Sequence, residues 1–104
     1  MNFNLSTEQN ESVLKIAGEL DVVSTHDLKP VVGKITEARP SKVVVDLSHL
    51  RLIDSSGVGL IVSLFKTVRS YEGALAVVGV HDQPLEILKL LQLDRVLIAD
   101  GPRS

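Results

Sequence analysis

The run Val43-Val44-Val45, with Leu47 two residues further on, narrows most what this chain can become. Consecutive β-branched side chains lose freedom in a helix and pack well on a pleated surface. An apolar run of this length without polar alternation is typical of a strand covered on both faces. The sequence thus predicts a central strand, and the remaining segments must supply its neighbours and its cover.

Phe3 and Leu5 alternate with polar residues, and Leu14 and Ile16 do the same beyond the polar stretch Gln9-Asn10-Glu11, which predicts an antiparallel hairpin. Gly18-Glu19-Leu20-Asp21 follows. Ser24 with Asp27 three positions later resembles a capping box, so a helix is expected from there, with Leu28, Val31, Val32 and Ile35 on one face and Pro40-Ser41 as its stop. Ser48 to Ile53 reads as a connection to Asp54-Ser55-Ser56-Gly57. Beyond it Val58, Ile61, Val62, Phe65 and Val68 mark a second amphipathic helix that Gly73 closes. Leu75 to Val80 reads as a strand. Pro84 suits a helix first turn, Leu85, Leu88 and Leu91 give a third helix, and Val96 to Ala99 reads as a last strand. Strands alternating with helices after a hairpin imply an α/β fold: one domain over residues 1–104, a mixed β-sheet with an N-terminal hairpin, and helices packed on the sheet.

Composition bounds the function. With 104 residues and 44% hydrophobic content, one globular core is expected. The longest nearly uncharged stretch, Ser55 to Phe65, is about half the roughly 20 residues that cross a bilayer as a helix. Met1-Asn2-Phe3-Asn4 shows no basic and apolar leader pattern, so the expected location is cytoplasmic. The absence of cysteine removes disulfide and thiolate chemistry. Formal charge is −2, the cations are scattered, and the aromatics are Phe3, Phe65 and Tyr71, which argues against direct nucleic-acid binding.

Chemistry concentrates at Asp54-Ser55-Ser56-Gly57, where a loop enters a helix. Asp and Ser are favoured N-caps, so a purely structural role accounts for one of these residues. The functional reading makes Ser55 a phosphoacceptor at the positive end of a helix that begins near Ser56, where free N–H groups can hold an anion. Phosphate would add roughly −1.5 to −2 charge beside the Asp54 carboxylate and repel a docked partner. Gly57-Val58-Gly59 keeps the helix start free of bulk, either for close approach of another molecule or for packing on the sheet. An esterase or protease triad is disfavoured because Ser55 lacks the Gly-x-Ser-x-Gly frame and His26, His49 and His81 sit among ordinary polar residues. Those histidines also lack metal-ligand spacing, so neither a metal nor a cofactor is expected. A receiver-like module phosphorylated on Asp46 or Asp54 would want a regular α/β order from its first strand, which the hairpin contradicts.

Gly18-Glu19-Leu20-Asp21, Val43-Val44-Val45-Asp46-Leu47 and above all Ile53-Asp54-Ser55-Ser56-Gly57-Val58-Gly59-Leu60 resemble the anti-sigma factor antagonists of the sulphate transporter and anti-sigma antagonist (STAS) domain family. The resemblance runs in order over nearly the whole chain. It implies a non-enzymatic binding domain in a partner-switching cycle. The unphosphorylated domain would bind an anti-sigma factor that is also a serine kinase, phosphorylation at Ser55 would release it, and a metal-dependent serine phosphatase would restore it. Asp21, Asp54, Ser56 and Gly57 become partner-contact candidates, and the free protein is expected to be a monomer with no membrane partner. A STAS domain that serves as a scaffold or accessory subunit without phosphorylation shares the fold and is the alternative. Many family members continue into a C-terminal helix, for which Ala99 to Ser104 leaves no room here.

Overall fold

The computed structural model describes residues 1–98. Strands β1 (Asn2–Glu8) and β2 (Glu11–Leu20) form the hairpin. Its turn residues Gln9 and Asn10 both have positive φ, at 49° and 69°, the handedness that a two-residue hairpin turn requires. Helix α1 (Val22–Ala38) then leads to β3 (Lys42–Ile53), and α2 (Ser55–Ser70) leads to β4 (Ala74–Val78). Short helices α3 (Asp82–Leu90) and α4 (Asp94–Leu97) complete the described chain. The sheet order is β1-β2-β3-β4, antiparallel in the hairpin and parallel across β2, β3 and β4, so the sheet is mixed and β3 lies inside it.

One face of the sheet carries the core. Leu14, Ile16 and Leu20 of β2, Val43, Val45, Leu47, Leu50 and Ile53 of β3, and Leu75 and Val77 of β4 are all buried there. Leu28 and Ile35 of α1 and Ile61, Leu64 and Val68 of α2 close over them. The opposite face is only half-covered. Val13, Val44 and Ala76 share a row across three strands, and each is of intermediate exposure. The expectation that β3 is covered on both faces is therefore corrected: the cross-strand neighbours Val13 and Ala76 shield Val44 laterally, and among the described residues no second helical layer covers that face.

Several boundaries also differ from the sequence reading. Helix α1 begins at Val22 because Asp21 is its N-cap, so Ser24 sits in the first turn and the Ser24/Asp27 box is not the start. The stretch Ser48 to Ile53 is the second half of β3, which departs from simple register with β2 twice, between Lys15 and Ala17 and between Gly18 and Glu19. Those irregularities break the hydrophobic alternation, which is why the segment reads as a connection. Val96 to Ala99 forms no strand as far as Ile98: Val96 and Leu97 lie in α4, Ile98 makes a single parallel bridge to Val77, and Ala99 lies outside the described residues. So short an apolar run does not separate strand from helix by period.

Strand β4 stops at Val78, two residues before the expected Val80, because Gly79 turns the chain with φ +72°. A Cβ on Gly79 would stand 2.8 Å from Ser48 Cβ and 3.1 Å from Ser48 Cα, so glycine also lets the β4–α3 turn press on β3. Gly79→Ala combines left-handed strain with overpacking and is expected to cost about 2–4 kcal/mol. Denaturant unfolding measures it, and a loss below about 0.5 kcal/mol would show that the turn relaxes freely.

Candidate functional site

The parallel pairing of β2 with β3 ends at Leu20↔Ile53, so the next residues, Asp21 and Asp54, leave neighbouring strands side by side. Each then caps a helix. Asp54 Oδ1 accepts from the N–H groups of Ser56 at 2.9 Å and Gly57 at 3.1 Å, which satisfies two of the free donors in the first turn of α2. Asp21 Oδ1 accepts from Ser24 N–H at 3.0 Å, while Ser24 Oγ accepts from the Asp21 N–H at 2.8 Å, a reciprocal capping box on α1. Backbone and side-chain hydrogen bonds from Ser24 hold the Asp21 carboxyl below its usual range. The edge where two helix N-termini meet the C-terminal ends of parallel strands is the customary binding edge of open α/β sheets.

Ser55 is the first residue of α2 and is exposed. Among the described residues its Oγ has no hydrogen-bond partner. Ser56 is half-buried and Gly57 is buried. A Cβ on Gly57 would come within 2.7 Å of Ile53 Cγ1 and 2.8 Å of Leu20 Cγ and the Leu20 carbonyl oxygen. Gly57 therefore seats α2 on the strand ends, which is the packing role open to it from the sequence. Gly59 is different: nothing stands within 4 Å of a Cβ placed there. It borders a groove of about 630 Å³ between α1 and α2, with Val22, Thr25, Lys29, Ser56 and Ser63 on its walls.

The structure brings Asp21, Asp54, Ser55, Ser56 and Gly57 to one edge of the sheet, and it adds apolar residues that sequence reasoning missed. Val22 is 64% exposed, Val23 71% and Leu52 47%. The sequence does carry a signal for two of them: Val22 and Val23 precede, and fall outside, the set Leu28, Val31, Val32 and Ile35 that turns inward. Glu19 and Arg51 form an exposed ion pair at 3.7 Å nearby, a contact worth little in stability. Among the described residues no group of three or more His, Cys, Asp and Glu is placed to hold a metal, and no helix is long and apolar enough to cross a membrane.

A second set of contacts supports the edge from behind. His81, the N-cap residue of α3, directs Nε2 to the Ser48 carbonyl at 2.8 Å and Nδ1 to Asp82 Oδ2 at 2.6 Å. Both partners are acceptors, so the arrangement is complete only when both ring nitrogens carry protons. The Asp82 hydrogen bond first, and the Ser48 carbonyl second, raise the His81 pKa above the ordinary imidazole value.

These caps and contacts lead to two expected outcomes. Asp54→Ala is expected to cost about 1 kcal/mol by freeing the Ser56 and Gly57 N–H groups. Amide exchange should speed up at those two positions, and unchanged protection there would mean that Asp54 is not the cap. For His81 the raised folded-state pKa means its contribution is complete below the unfolded value of about 6.5 and is lost as pH rises through the folded value. The Tm difference between wild type and His81→Ala should shrink from about pH 6 to about pH 9. A difference constant across that range would rule out the doubly protonated bridge.

Comparison with known proteins agrees with this architecture. Residues 2–101 match the model of the STAS domain. An anti-sigma-B factor antagonist of Staphylococcus aureus (strain NCTC 8325 / PS 47) is 29% identical over 85 residues, which are 80% of this chain and 79% of the relative. A Thermotoga maritima crystal structure assigned to the anti-sigma factor antagonists superposes with a TM-score of 0.84 at 27% identity, covering 92% of this chain and 83% of its own. The phosphorylated form of the Bacillus cell fate determinant SpoIIAA has the same fold, with a TM-score of 0.70 at 18% identity over 93% of this chain and 89% of its own. With the motif, the sheet order and the family match in agreement, this chain belongs to the STAS domain family and has anti-sigma factor antagonists among its relatives.

Proposed function

We propose that this domain is an anti-sigma factor antagonist that works by partner switching and catalyses no reaction itself. In its unphosphorylated form it binds an anti-sigma factor that doubles as a serine kinase. Phosphorylation at Ser55 ends that complex, and a metal-dependent serine phosphatase returns the domain to its binding form. The observation that carries this reading is the placement of Ser55: exposed, first in α2, with a hydroxyl free of internal hydrogen bonds among the described residues and a capping carboxylate beside it.

The reading assigns distinct work to the neighbouring residues. Val22, Val23 and Leu52 supply the apolar contact area that a protein partner desolvates, since large exposed apolar side chains grouped at one edge favour docking. Asp21 and Asp54 carry charge at the same edge while shaping it as caps. Ser56 is less accessible than Ser55, and its N–H is engaged by Asp54, which suits recognition and capping rather than acceptance of phosphate. The kinase brings ATP and metal, so this chain needs neither. Ser55 Oγ makes no hydrogen bond to a general base among the described residues, which supports a binding rather than a catalytic role.

The test is a titration of the purified anti-sigma partner with wild type and variants, alongside peptide mapping after kinase treatment. Phosphate is expected on Ser55. Ser55→Ala should bind as wild type does, Ser55→Glu at least tenfold more weakly, or about 1.4 kcal/mol, and Val22→Asp similarly weakly while remaining folded, because an acid is tolerated at a helix N-terminus. Asp21→Ala probes the same edge. Phosphate on Ser56 alone would identify the wrong hydroxyl, and equal binding by Ser55→Glu, phosphorylated and unmodified protein would exclude release by charge at Ser55.

A further inference from the structure

Pairing of β3 with β4 stops at Asp46↔Val78, so among the described residues the second half of β3, which leads into the Ser55 site, has no strand on its outer side. Side chains from the start of α3 occupy that side instead. His81 reaches the Ser48 carbonyl. Gln83 lays its carboxamide along Ile53: the Ile53 N–H donates to Gln83 Oε1 at 2.9 Å, and Gln83 Nε2 donates to the Ile53 carbonyl at 3.0 Å. A primary carboxamide offers a donor and an acceptor much as a peptide group does, so Gln83 stands in for one residue of an absent strand.

The residue it grips is the one before the cap. On the other side the Asp54 N–H donates to the Leu20 carbonyl at 3.1 Å, so the chain entering α2 is held from β2 and from α3 at consecutive residues. Ile53 is 4% exposed, and its peptide groups would otherwise sit unpaired in a buried position. Anchoring α3 to the domain does not need this pair of bonds, because Pro84 and Leu88 are already buried under that helix. The bonds are directed at a single position, and Asp54-Ser55 comes directly after it in the chain.

We infer that Gln83 is a positioning residue for the Ser55 site: its carboxamide fixes Ile53, and through it the Asp54 cap and the Ser55 hydroxyl, in the orientation that the kinase meets. This rests on the reading of Ser55 as the phosphoacceptor. A displacement on the order of 1 Å at a reacting group can cost up to about 100-fold in rate, so a loss of this grip is felt in the transfer step more than in docking. Docking depends on exposed side chains such as Val22 and Val23, whereas the hydrogen bonds of Gln83 are directed to the Ile53 backbone.

The experiment compares Gln83→Ala and Gln83→Glu with Ile87→Ala, which trims the partly buried side of the same helix and leaves Ile53 bonded. In the free protein, amide exchange at Ser56 and Gly57 should rise about tenfold or more in Gln83→Ala and stay near wild type in Ile87→Ala once both are corrected for global stability. The carboxyl introduced by Gln83→Glu should titrate above the ordinary glutamate value, because its neutral form alone both donates and accepts at Ile53. With the serine kinase, Gln83→Ala should lower the saturating rate of Ser55 phosphorylation about tenfold, with the half-saturating concentration within about twofold of wild type. Unchanged exchange at Ser56 and Gly57 overturns the inference, as does an unchanged saturating rate when wild type is phosphorylated on Ser55. Wild type that takes no phosphate on Ser55 overturns the parent reading and the role in transfer together, while the exchange and carboxyl titration still decide whether Gln83 holds the cap.

Discussion

The site depends on one register position, the parallel pairing of Leu20 with Ile53. Because the two strands end together, the chain leaves each of them at the same height and starts a helix at once. Asp21 and Asp54 do the same capping work one strand apart, and the Asp54 N–H closes the gap by donating to the Leu20 carbonyl. Each of the two irregularities between β2 and β3 adds one residue to β3, so with both absent Leu20 would face Arg51 instead of Ile53, and Asp54 would lie two residues beyond the level of Asp21. The irregular second half of β3 is thus a condition for placing Asp54 beside Asp21. Gly57 enforces the same closeness sterically, since any side chain there would push α2 off Leu20 and Ile53.

What the sequence disclosed and what it concealed depend on the range of the interactions involved. The hairpin, the strand from Val43, the helix behind Asp54 and the capping chemistry of Asp54 rest on residues within a few positions of one another, and local patterns report such contacts. The start of α1 is ambiguous in the sequence because Ser24 fits a capping box in two ways, as the cap itself or as the partner three residues beyond it, and two exposed valines after Asp21 hide the true start. The length of β3 is concealed by its irregular register. The open sheet face depends on where helices pack, which a single run of valines does not encode. Gln83 and Ile53 lie 30 positions apart, and a lone glutamine in a first helical turn carries no mark of a backbone partner.

The structure also changes the physics by which phosphate at Ser55 would act. Sequence reasoning places an added anion on free N–H groups at the start of α2, but Asp54 Oδ1 already takes the Ser56 and Gly57 donors, and the Val58 N–H is bonded to the Asp54 carbonyl. A helix N-terminus carries roughly +0.5 charge, so with the Asp54 carboxylate the local sum is about −0.5 before modification. A phosphate of about −1.5 to −2 brings it to roughly −2 to −2.5. With those donors taken, little of that charge would be neutralised by them, and it would face outward at the edge that carries the exposed Val22 and Val23, where the proposed partner contact would need a dry surface. Under the proposed function, the same carboxylate that holds α2 in place therefore leaves the phosphate exposed to the partner, and release comes from charge presented at the interface rather than from refolding of the domain.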